Sequence, residues 1–338
     1  PPRSTLFPYT TLFRSWLALA DFLGLRRAKE AAEEALRQAA KQLPFSTKIR
    51  FALGSFYEGH QEVSKARQVY ESVIKEQEKK PAGLDAQVKI AQLDFNAGRQ
   101  AEAERRLAEV LRNNPRSAEG LILQGKMALI GKRGKDAVQA FRTVLRDQPE
   151  YAHVQHLLGQ AYIVTGDLQL ARESFGRAVA LQPDAVESNL ALATLESQSG
   201  QPSRSRTRLL DMLKTHPDYL PALERVFVLD LVIGDWSHAN TVLDSLRRTI
   251  GEGPILLMAE GRLYEAQRDY PKAAGAFERA ASMAPASADP LVALIRLDLT
   301  QKQIERARRR LEAIVTAHPS HPYAHGLLAE VWTIIGRH

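Results

Sequence analysis

The 338-residue sequence contains no cysteine, so it forms neither disulfide bonds nor the thiolate sites that bind zinc or act as nucleophiles. It has no apolar run near the roughly 20 residues of a membrane-spanning helix. Serine nucleophile elbows, zinc-protease helices and dinucleotide-binding glycine loops are also absent. With 44% hydrophobic and 25% charged residues, the composition is that of an ordinary folded chain. These absences remove the recognisable catalytic and cofactor signatures.

A repeated spacing of small, aromatic and proline residues runs through the sequence instead. It is clearest between Ala152 and Asp184, and looser copies follow one another about every 34 residues. This copy contains LLGQAY at 157–162, then Gly166, Ala171, Phe175, Ala178 and Pro183. Such a period predicts pairs of short helices that pack on their neighbours.

Each recurring position has a mechanical interpretation. Small residues are expected where helix backbones touch: Gly54, Ala91, Gly125, Gly159, Ala193 and Gly261 in the first helix, and Ala32, Ala66, Ala103, Ala137, Ala171, Ser205, Ala239, Ala273 and Ala307 in the second. Large residues are expected between the helices: Tyr57, Tyr162, Tyr264, Tyr70, Phe141, Phe175 and Phe277, with Leu107, Leu209, Leu243 and Leu311 in weaker copies. Glycine favours the inner turn at Gly98, Gly166, Gly200 and Gly234.

This spacing resembles the tetratricopeptide repeat family over residues 16–338. The resemblance implies an all-α solenoid, a right-handed superhelix of helix-turn-helix units that binds other proteins. The predicted units are 13–46, 47–83, 84–117, 118–151, 152–185, 186–219, 220–253, 254–287 and 288–321, with a partial unit at 322–338. The string AFRTVLRDQPE and the lack of another domain resemble bacterial envelope repeat proteins, including lipoproteins associated with exopolysaccharide and PEP-CTERM systems.

The two ends of the sequence suggest a fragment. Residues 5–15, TLFPYTTLFRS, read as the translation of a common short-read sequencing adapter, so we interpret residues 1–15 as a non-native leader. The alternative is a native disordered leader. At the other end the repeat stops before the second helix that should cover Leu328, Val331 and Trp332. We therefore expect a bacterial, metagenomic fragment whose true start is missing; this leaves localisation open, with the periplasm or cell envelope favoured over the cytoplasm.

In tetratricopeptide proteins the exposed positions of successive first helices line a concave groove. By the family register, three rows of residues face this groove. The first row is Phe51, Val88, Ile122, His156, Leu190, Met258 and Val292; the second is Gln92, Lys126, Gln160, Thr194, Arg262 and Arg296; the third is Phe95, Leu129, Ile163, Leu231 and Leu299. The predicted partner-binding residues are Phe51, Gln92, Phe95, Lys126, His156, Gln160, Ile163, Leu190, Leu231, Met258, Arg262 and Arg296. Burial between successive units is the alternative for the third row.

A basic excess falls early in the second helices, on the face expected to be convex. It comprises Arg105, Arg106, Arg172, Arg206, Arg208, Arg308, Arg309 and Arg310. Glu305 and Glu312 are interleaved with the last of these, which favours a solvated face; an anionic partner surface is the alternative. Nucleic acid is not expected as a partner, because no stacking aromatics accompany these arginines.

Several other patterns were weighed as chemical sites. The residues Phe51, Ser55, Val88 and Gln92 occupy the positions where related proteins clamp a chaperone's terminal carboxylate with lysine and asparagine, so that clamp is not predicted. His153 and His156, and His318, His321 and His325, lack carboxylate or cysteine co-ligands. The string GKMALIGKR at 125–133 departs from a phosphate loop in spacing and in its last residue. We therefore predict no catalytic, cofactor or metal site.

The function predicted from the sequence is a non-catalytic scaffold that binds a peptide segment or partner helix in the concave groove. Two alternatives remain open. The repeats could be the recruiting arm of a larger glycosyltransferase, sulfotransferase or signalling enzyme, or a repeat lipoprotein that assists polysaccharide secretion. The sequence leaves the oligomeric state and the identity of the protein or peptide partner undetermined.

Overall fold

A computed structural model of the protein describes residues 15–16, 18–19, 28–317, 319–320 and 323–336. Within these residues the regular secondary structure consists of eighteen α-helices and no strand. The chain divides into two compact units, Pro1–Gln182 and Pro183–His338. Residues 1–14, which contain most of the predicted leader, lie outside the described residues, as do His318 and His321. None of the described helices is both long and apolar enough to cross a membrane.

The first unit contains nine described helices that pack mainly on their sequence neighbours. They are α1 (Lys29–Gln42), α2 (Thr47–Gly59), α3 (Val63–Gln77), α4 (Pro81–Asn96), α5 (Gln100–Asn113), α6 (Ala118–Ile130), α7 (Gly134–Asp147), α8 (Ala152–Thr165) and α9 (Leu168–Leu181). The even-numbered helices are the first helices of the repeat, here called A helices, and the odd-numbered ones are B helices. Consecutive A helices also contact one another, as α4 does with α6 and α6 with α8.

The second unit continues the alternation with nine more described helices. They are α10 (Val186–Gln198), α11 (Pro202–Thr215), α12 (Leu220–Ile233), α13 (Trp236–Ile250), α14 (Pro254–Ala266), α15 (Tyr270–Met283), α16 (Ala288–Thr300), α17 (Ile304–Ala317) and α18 (Ala324–Ile335). Proline opens α11, α12, α14 and α15 at their first turns, where its missing N–H leaves no helical bond unmade.

The core of each helix pair depends on a match of residue size. The eight predicted B-helix alanines are fully buried, and Ser205 at the same position donates a hydrogen bond to the Ala193 carbonyl at 2.7 Å. A-helix glycines face B-helix aromatics: a Cβ on Gly125 would lie 2.4 Å from the Phe141 ring, and one on Gly159 would lie 2.6 Å from that of Phe175. Gly54 and Gly261 face Tyr70 and Phe277 in the same way.

Where the A-helix residue is larger, the B-helix residue is smaller. Ala91 and Ala193 occupy the glycine position in α4 and α10, and the matching B-helix residues are Leu107 and Leu209 rather than aromatics. All four side chains are buried. The two positions therefore vary together to keep the filled volume nearly constant, as close packing requires.

The turns between A and B helices require a left-handed residue. Gly98, Gly166, Gly200 and Gly234 have φ between +73° and +85°, which confirms their predicted role in the turn. Non-glycine residues adopt the same conformation in other copies: Gln61, Lys132, Arg268 and Lys302, with φ of 54° to 63°. The geometry of this turn therefore persists where its preferred residue is lost.

The second repeat carries about three extra residues around KEQEKKPAG; the sequence favours a longer second helix there, but that helix takes up only part of the insertion. Helix α3 has 15 residues against 14 in α5 and α7, and helix α4 has 16 against 13 in α6, whereas the connection at 78–80 is one residue shorter than the one at 114–117. The extra residues therefore lengthen mainly the start of α4. Gly83 then approaches the end of α3 so closely that a Cβ would lie 1.8 Å from the Gln77 carbonyl oxygen. The tight approach ends α3 where the chain must reverse.

Candidate functional site

Three of the predicted partner-binding residues meet in a groove on the A helices of the first unit. Phe51 from α2, Gln92 from α4 and Lys126 from α6 line a cavity of about 410 Å³. The buried side chains of Val88 and Ile122 form its apolar floor. The helix register thus brings one aromatic, one amide and one ammonium group to the same surface.

Charged residues that were not predicted also line this first-unit groove. Asp85 and Lys89 come from α4, and Glu119 comes from the first turn of α6. Burial, with a smaller contribution from the Glu119 charge, raises the pKa of the Asp85 carboxyl above its usual range. The groove therefore offers two carboxylates beside two ammonium groups, Lys89 and Lys126.

A second groove lies on the A helices of the second unit. It encloses about 600 Å³ and contains two predicted residues, Met258 and Arg262 of α14. Apolar side chains from α12 and α14 surround them, among them Val228 (45% exposed) and Ile255 (63% exposed). Within the described residues, the Arg262 guanidinium has no ion-pair partner. This groove combines accessible apolar surface with an uncommitted positive charge.

Other charges around the second-unit groove have defined positions. Arg225 Nη1 donates to Thr194 Oγ1 at 2.6 Å, which fixes that guanidinium against α10. Glu224 and Asp289 supply two carboxylates at the groove wall. The Asp289 backbone N–H donates a hydrogen bond to the Ser287 hydroxyl at 3.4 Å. The Asp289 carboxylate takes no part in this helix cap.

Some predicted residues line neither groove. The His156 ring lies 5.3 Å from the Phe175 ring centroid, and its Nε2 is 3.0 Å from the Gln160 amide nitrogen. Ile163 is 42% exposed. Arg296 Nη2 donates to Glu265 Oε2 at 2.7 Å, so its charge is already paired within the chain.

The remaining predicted residues pack partly into the core. Phe95 is half-buried against the apolar cluster formed by α4, α5 and α6. Leu190 and Leu231 are half-buried against the main cluster of the second unit. Within the third row, Leu129 and Leu299 are half-buried too, whereas Ile163 remains exposed. Burial therefore affects most of this row but not all of it.

Sequence reasoning missed a set of buried carboxylates on the A helices, on the side that faces the B helices and lies away from the grooves described above. Asp94, Glu196, Asp230 and Asp298 are each at most 3% exposed and occupy the position that Tyr57, Tyr162 and Tyr264 hold in other copies. Arg99 donates to Asp94 Oδ1 at 2.8 Å, and Arg208 donates to Glu196 Oε1 at 2.8 Å. These pairs satisfy charges that would otherwise be costly to bury.

A sequence signal for these pairs exists in retrospect. The carboxylates Glu196 and Asp298 are each bonded by an arginine 12 positions later, Arg208 and Arg310. Copies with tyrosine at the carboxylate position have Val69, Ser174 or Ala276 at the arginine position instead. Asp230 is the exception among the carboxylates, because Val242 stands at the arginine position and Arg206 and His238 pair with the acid instead.

These contacts account for much of the basic excess. Arg106, Arg206, Arg208 and Arg310 form ion pairs with the buried carboxylates. Arg308 pairs with Glu305 and Glu312, the two acids that the sequence interleaves with it. Five of the eight arginines are thus held by intrachain acids.

The described residues offer no metal site: nowhere among them do three or more histidine, cysteine, aspartate or glutamate side chains form a group able to hold an ion. His153 and His156 both take part in other interactions.

The helical pairs and their A-helix grooves define the class of the protein, an all-α repeat scaffold. Tetratricopeptide repeat profiles match residues 17–81, 88–152, 133–186, 156–219, 232–290 and 264–331. Because these matches span well over half of the sequence, the chain belongs to the tetratricopeptide repeat family. Repeats of this family form protein-interaction scaffolds that are typically non-catalytic, and this chain has that scaffold fold.

Comparison with individual proteins agrees with the family assignment. Tetratricopeptide repeat protein 37 of Xenopus laevis is 24% identical over 234 residues, which cover 66% of this chain and 14% of that protein. The chain therefore spans a small part of that relative's length.

Two solved structures show the same fold. A tetratricopeptide repeat protein from Parabacteroides merdae aligns with a TM-score of 0.50 at 16% identity, covering 75% of this chain and 99% of its own. PilF of Pseudomonas aeruginosa aligns with a TM-score of 0.52 at 17% identity, covering 61% and 94%. At such identities the similarity concerns the fold alone.

Proposed function

We propose that the chain acts without chemistry of its own and binds an extended peptide segment in its A-helix grooves, with the second-unit groove as the main site. The observation that carries this proposal is the uncommitted guanidinium of Arg262 beside the accessible side chains of Val228, Ile255 and Met258. Exposed apolar surface of this kind marks interaction sites.

The chemistry of the segment follows from the groove. Its apolar side chains would cover Val228 and Ile255, which supplies most of the affinity. An acidic side chain would meet Arg262 in a charge-assisted hydrogen bond, which contributes about 1.5–3 kcal/mol. Because Arg262 has no partner in the described residues, no intrachain ion pair must break for this contact to form.

The charges at the groove wall indicate which charged groups the segment carries. Glu224 and Asp289 attract a basic group, whereas Arg262 attracts an acidic one. A segment that carries both signs, separated by apolar residues, would satisfy both. In the first-unit groove, Lys126 with Asp85 and Glu119 repeats this mixture around the floor of Val88 and Ile122.

The proposal is tested by selecting displayed random peptides on the immobilised chain and measuring the affinity of the enriched peptides. Arg262→Glu should weaken them by about ten-fold or more, the equivalent of about 1.4 kcal/mol. Ile255→Asp should do the same, since it removes an apolar contact. The matched control is Arg279→Glu, an exposed arginine on α15 that changes the net charge equally and lies outside the groove.

Each result has a definite meaning. Selective loss with Arg262→Glu and Ile255→Asp, but not with Arg279→Glu, supports binding in this groove. Equal loss with all three variants would reduce the interaction to non-specific charge attraction. Enriched peptides that bind every variant as tightly as the native chain would place the site elsewhere.

A further inference from the structure

The first unit has another groove, on the opposite side of its A helices, which we call the outer groove. It lies between the B helices α7 and α9 with α8 as its floor, and it encloses about 500 Å³. Three arginines line it, Arg142, Arg146 and Arg177, against one acid, Glu173. Arg146 lies 3.8 Å from the Asp147 carboxylate, whereas Arg142 and Arg177 lack such an ion pair within the described residues, so the groove is net positive, unlike the mixed charge of the A-helix grooves.

The equivalent groove in the second unit shows one way in which the chain fills this position. Between α15 and α17, with α16 as the floor, the groove encloses only about 290 Å³. There Arg310 Nη1 donates to Glu278 Oε1 at 3.0 Å, and its Nε donates to the buried Asp298 at 3.3 Å. One guanidinium thus bridges a rim acid and a floor acid.

The outer groove replaces every member of this bridge. In the repeat register, the positions of Glu278, Asp298 and Arg310 are taken by Arg142, Tyr162 and Ser174. The rim acid has become a base, and the bridging arginine has become a short hydroxyl. An intrachain cation therefore no longer fits between rim and floor, and the space left beside Arg142 suits an anion.

The floor of the outer groove carries the complementary hydrogen-bonding groups. Tyr162 and Ser174 are each 5% exposed and line the groove. In the part of the chain that the structure describes, neither hydroxyl bonds to another protein group and neither oxygen is sealed from solvent, so both can donate to a ligand in the groove. The Arg142 guanidinium lies 5.7 Å from the Tyr162 ring centroid, so stacking on that ring holds it at the rim.

The walls add apolar surface on either side of this polar centre. Leu170 and Leu181 both line the groove and are 37% and 41% exposed. A bare inorganic anion would leave them uncovered. A peptide carboxylate with apolar neighbours would cover the leucines and satisfy the arginines and hydroxyls together.

We propose that the outer groove is a second docking surface, which binds the carboxylate of an acidic residue flanked by apolar residues in a partner peptide. The carboxylate accepts hydrogen bonds from Arg142 and Arg177 and from the hydroxyls of Tyr162 and Ser174. This surface is separate from the A-helix grooves, so it does not depend on the function proposed above.

The test uses the full chain and three fluorescent heptapeptides that differ only in the central residue, which is Glu, Gln or Lys between leucines. Fluorescence anisotropy should give saturable binding of the Glu peptide, at least ten-fold tighter than the Gln peptide, with none for the Lys peptide. Salt should weaken the Glu peptide, because the site is partly solvated.

Two variants locate this binding. Combining Arg142→Glu with Ser174→Arg reproduces the chemistry of Glu278 and Arg310, so it should preserve the circular dichroism spectrum and abolish the preference for Glu over Gln. Arg142→Gln alone should reduce that preference several-fold. The control Arg105→Glu removes an exposed arginine of α5 outside the groove and should leave affinity within two-fold.

Three outcomes would overturn the proposal. Equal binding of the Glu and Gln peptides, or no saturation with either, excludes a carboxylate site. A loss with Arg105→Glu as large as that with Arg142→Gln reduces the effect to overall charge. Inorganic phosphate that binds in an Arg142-dependent manner while the Glu peptide does not would make this a site for small anions.

Discussion

The size match between α6 and α7 leads to a sharp test of how the helix pairs are held together. In Gly125→Ala the new Cβ would lie 2.4 Å from Phe141 Cε1, well inside ordinary contact distance. The Phe141 ring is fully buried, so it cannot avoid the new methyl group by turning out into solvent. Overpacking of this kind costs about 1–3 kcal/mol, whereas alanine in a helix interior gains about 0.5–1 kcal/mol over glycine. We expect the free energy of unfolding to fall by about 1–2 kcal/mol.

The second substitution is Phe141→Leu, which completes a double-mutant cycle with Gly125→Ala. On its own it removes part of a buried ring and should cost about 1–2 kcal/mol. Combined with Gly125→Ala it recreates the Ala91 and Leu107 pair that the chain already uses between α4 and α5. The double variant should therefore be more stable than the sum of the single changes predicts, with a coupling energy of about 1–2 kcal/mol, inside the range for contacting residues.

Urea denaturation followed by circular dichroism measures all three variants. The control is Gly176→Ala on α9, where a Cβ meets nothing within 4 Å, so it should be neutral or slightly stabilising. If Gly125→Ala were as stable as the native chain, or if the two changes were simply additive, glycine and aromatic would not be coupled by volume and the packing argument would fail.

Four further substitutions test other parts of the fold. Ala171→Arg should cost several kcal/mol, because it places a charge at a fully buried helix contact; an unchanged melting temperature would refute the repeat register. Gly166→Ala should cost about 1 kcal/mol, because φ is +84° in this turn; a gain instead would contradict the strain argument. Burial raises the pKa of Asp94, but hydrogen bonds from two arginines outweigh it and leave that pKa below its usual value. Asp94→Asn should therefore lower the free energy of unfolding by about 1–3 kcal/mol near neutral pH. This difference should begin to shrink as the pH falls below about 4 and should be lost only once the pH passes through the lowered folded-state pKa; a loss that is independent of pH would point to packing alone. Tyr162→Asp alone buries an unpaired carboxylate and should destabilise strongly, whereas adding Ser174→Arg should restore most of the stability; a double variant as unstable as the single one would contradict the pairing.

The fold was predictable from the sequence because the repeat depends on local spacing. The alanine of each B helix and the glycine of each inner turn are set by contacts within one helix pair, so a period in the sequence reveals them directly. The extra residues around KEQEKKPAG were placed less well, because they lengthen the start of α4 more than the end of α3. There the helix-forming character of KEQEKK competes with a close backbone approach at Gly83, and the approach is visible only in three dimensions.

The candidate site was predictable only in part, because exposure depends on how neighbouring pairs pack. Val88 and Val292 occupy the same row of the register, yet Val88 is buried in the first-unit groove and Val292 is exposed. The partner of Asp94 is harder still to foresee. Arg67 lies 27 positions earlier on α3, beyond the helix pair that contains the acid. Whether a given groove residue binds a partner stays a prediction until the variants are measured.

The pairing of positions also explains how one scaffold can carry distinct binding surfaces. At the position of Asp94 in the repeat, most of the described A helices carry a carboxylate or a tyrosine, whereas α6 has Ala128 and α18 has Trp332. In three of the four carboxylate copies the B-helix residue 12 positions later is arginine. Where both members of the charged pair are present, as in Asp298 and Arg310, the chain's own ion pair fills part of the groove between B helices. Where Tyr162 and Ser174 replace them, the fold persists because Phe175 and Gly159 still provide the core contact. Stability and recognition therefore use adjacent positions on the same helices, and a repeat can gain a docking surface by substitutions that leave its packing intact.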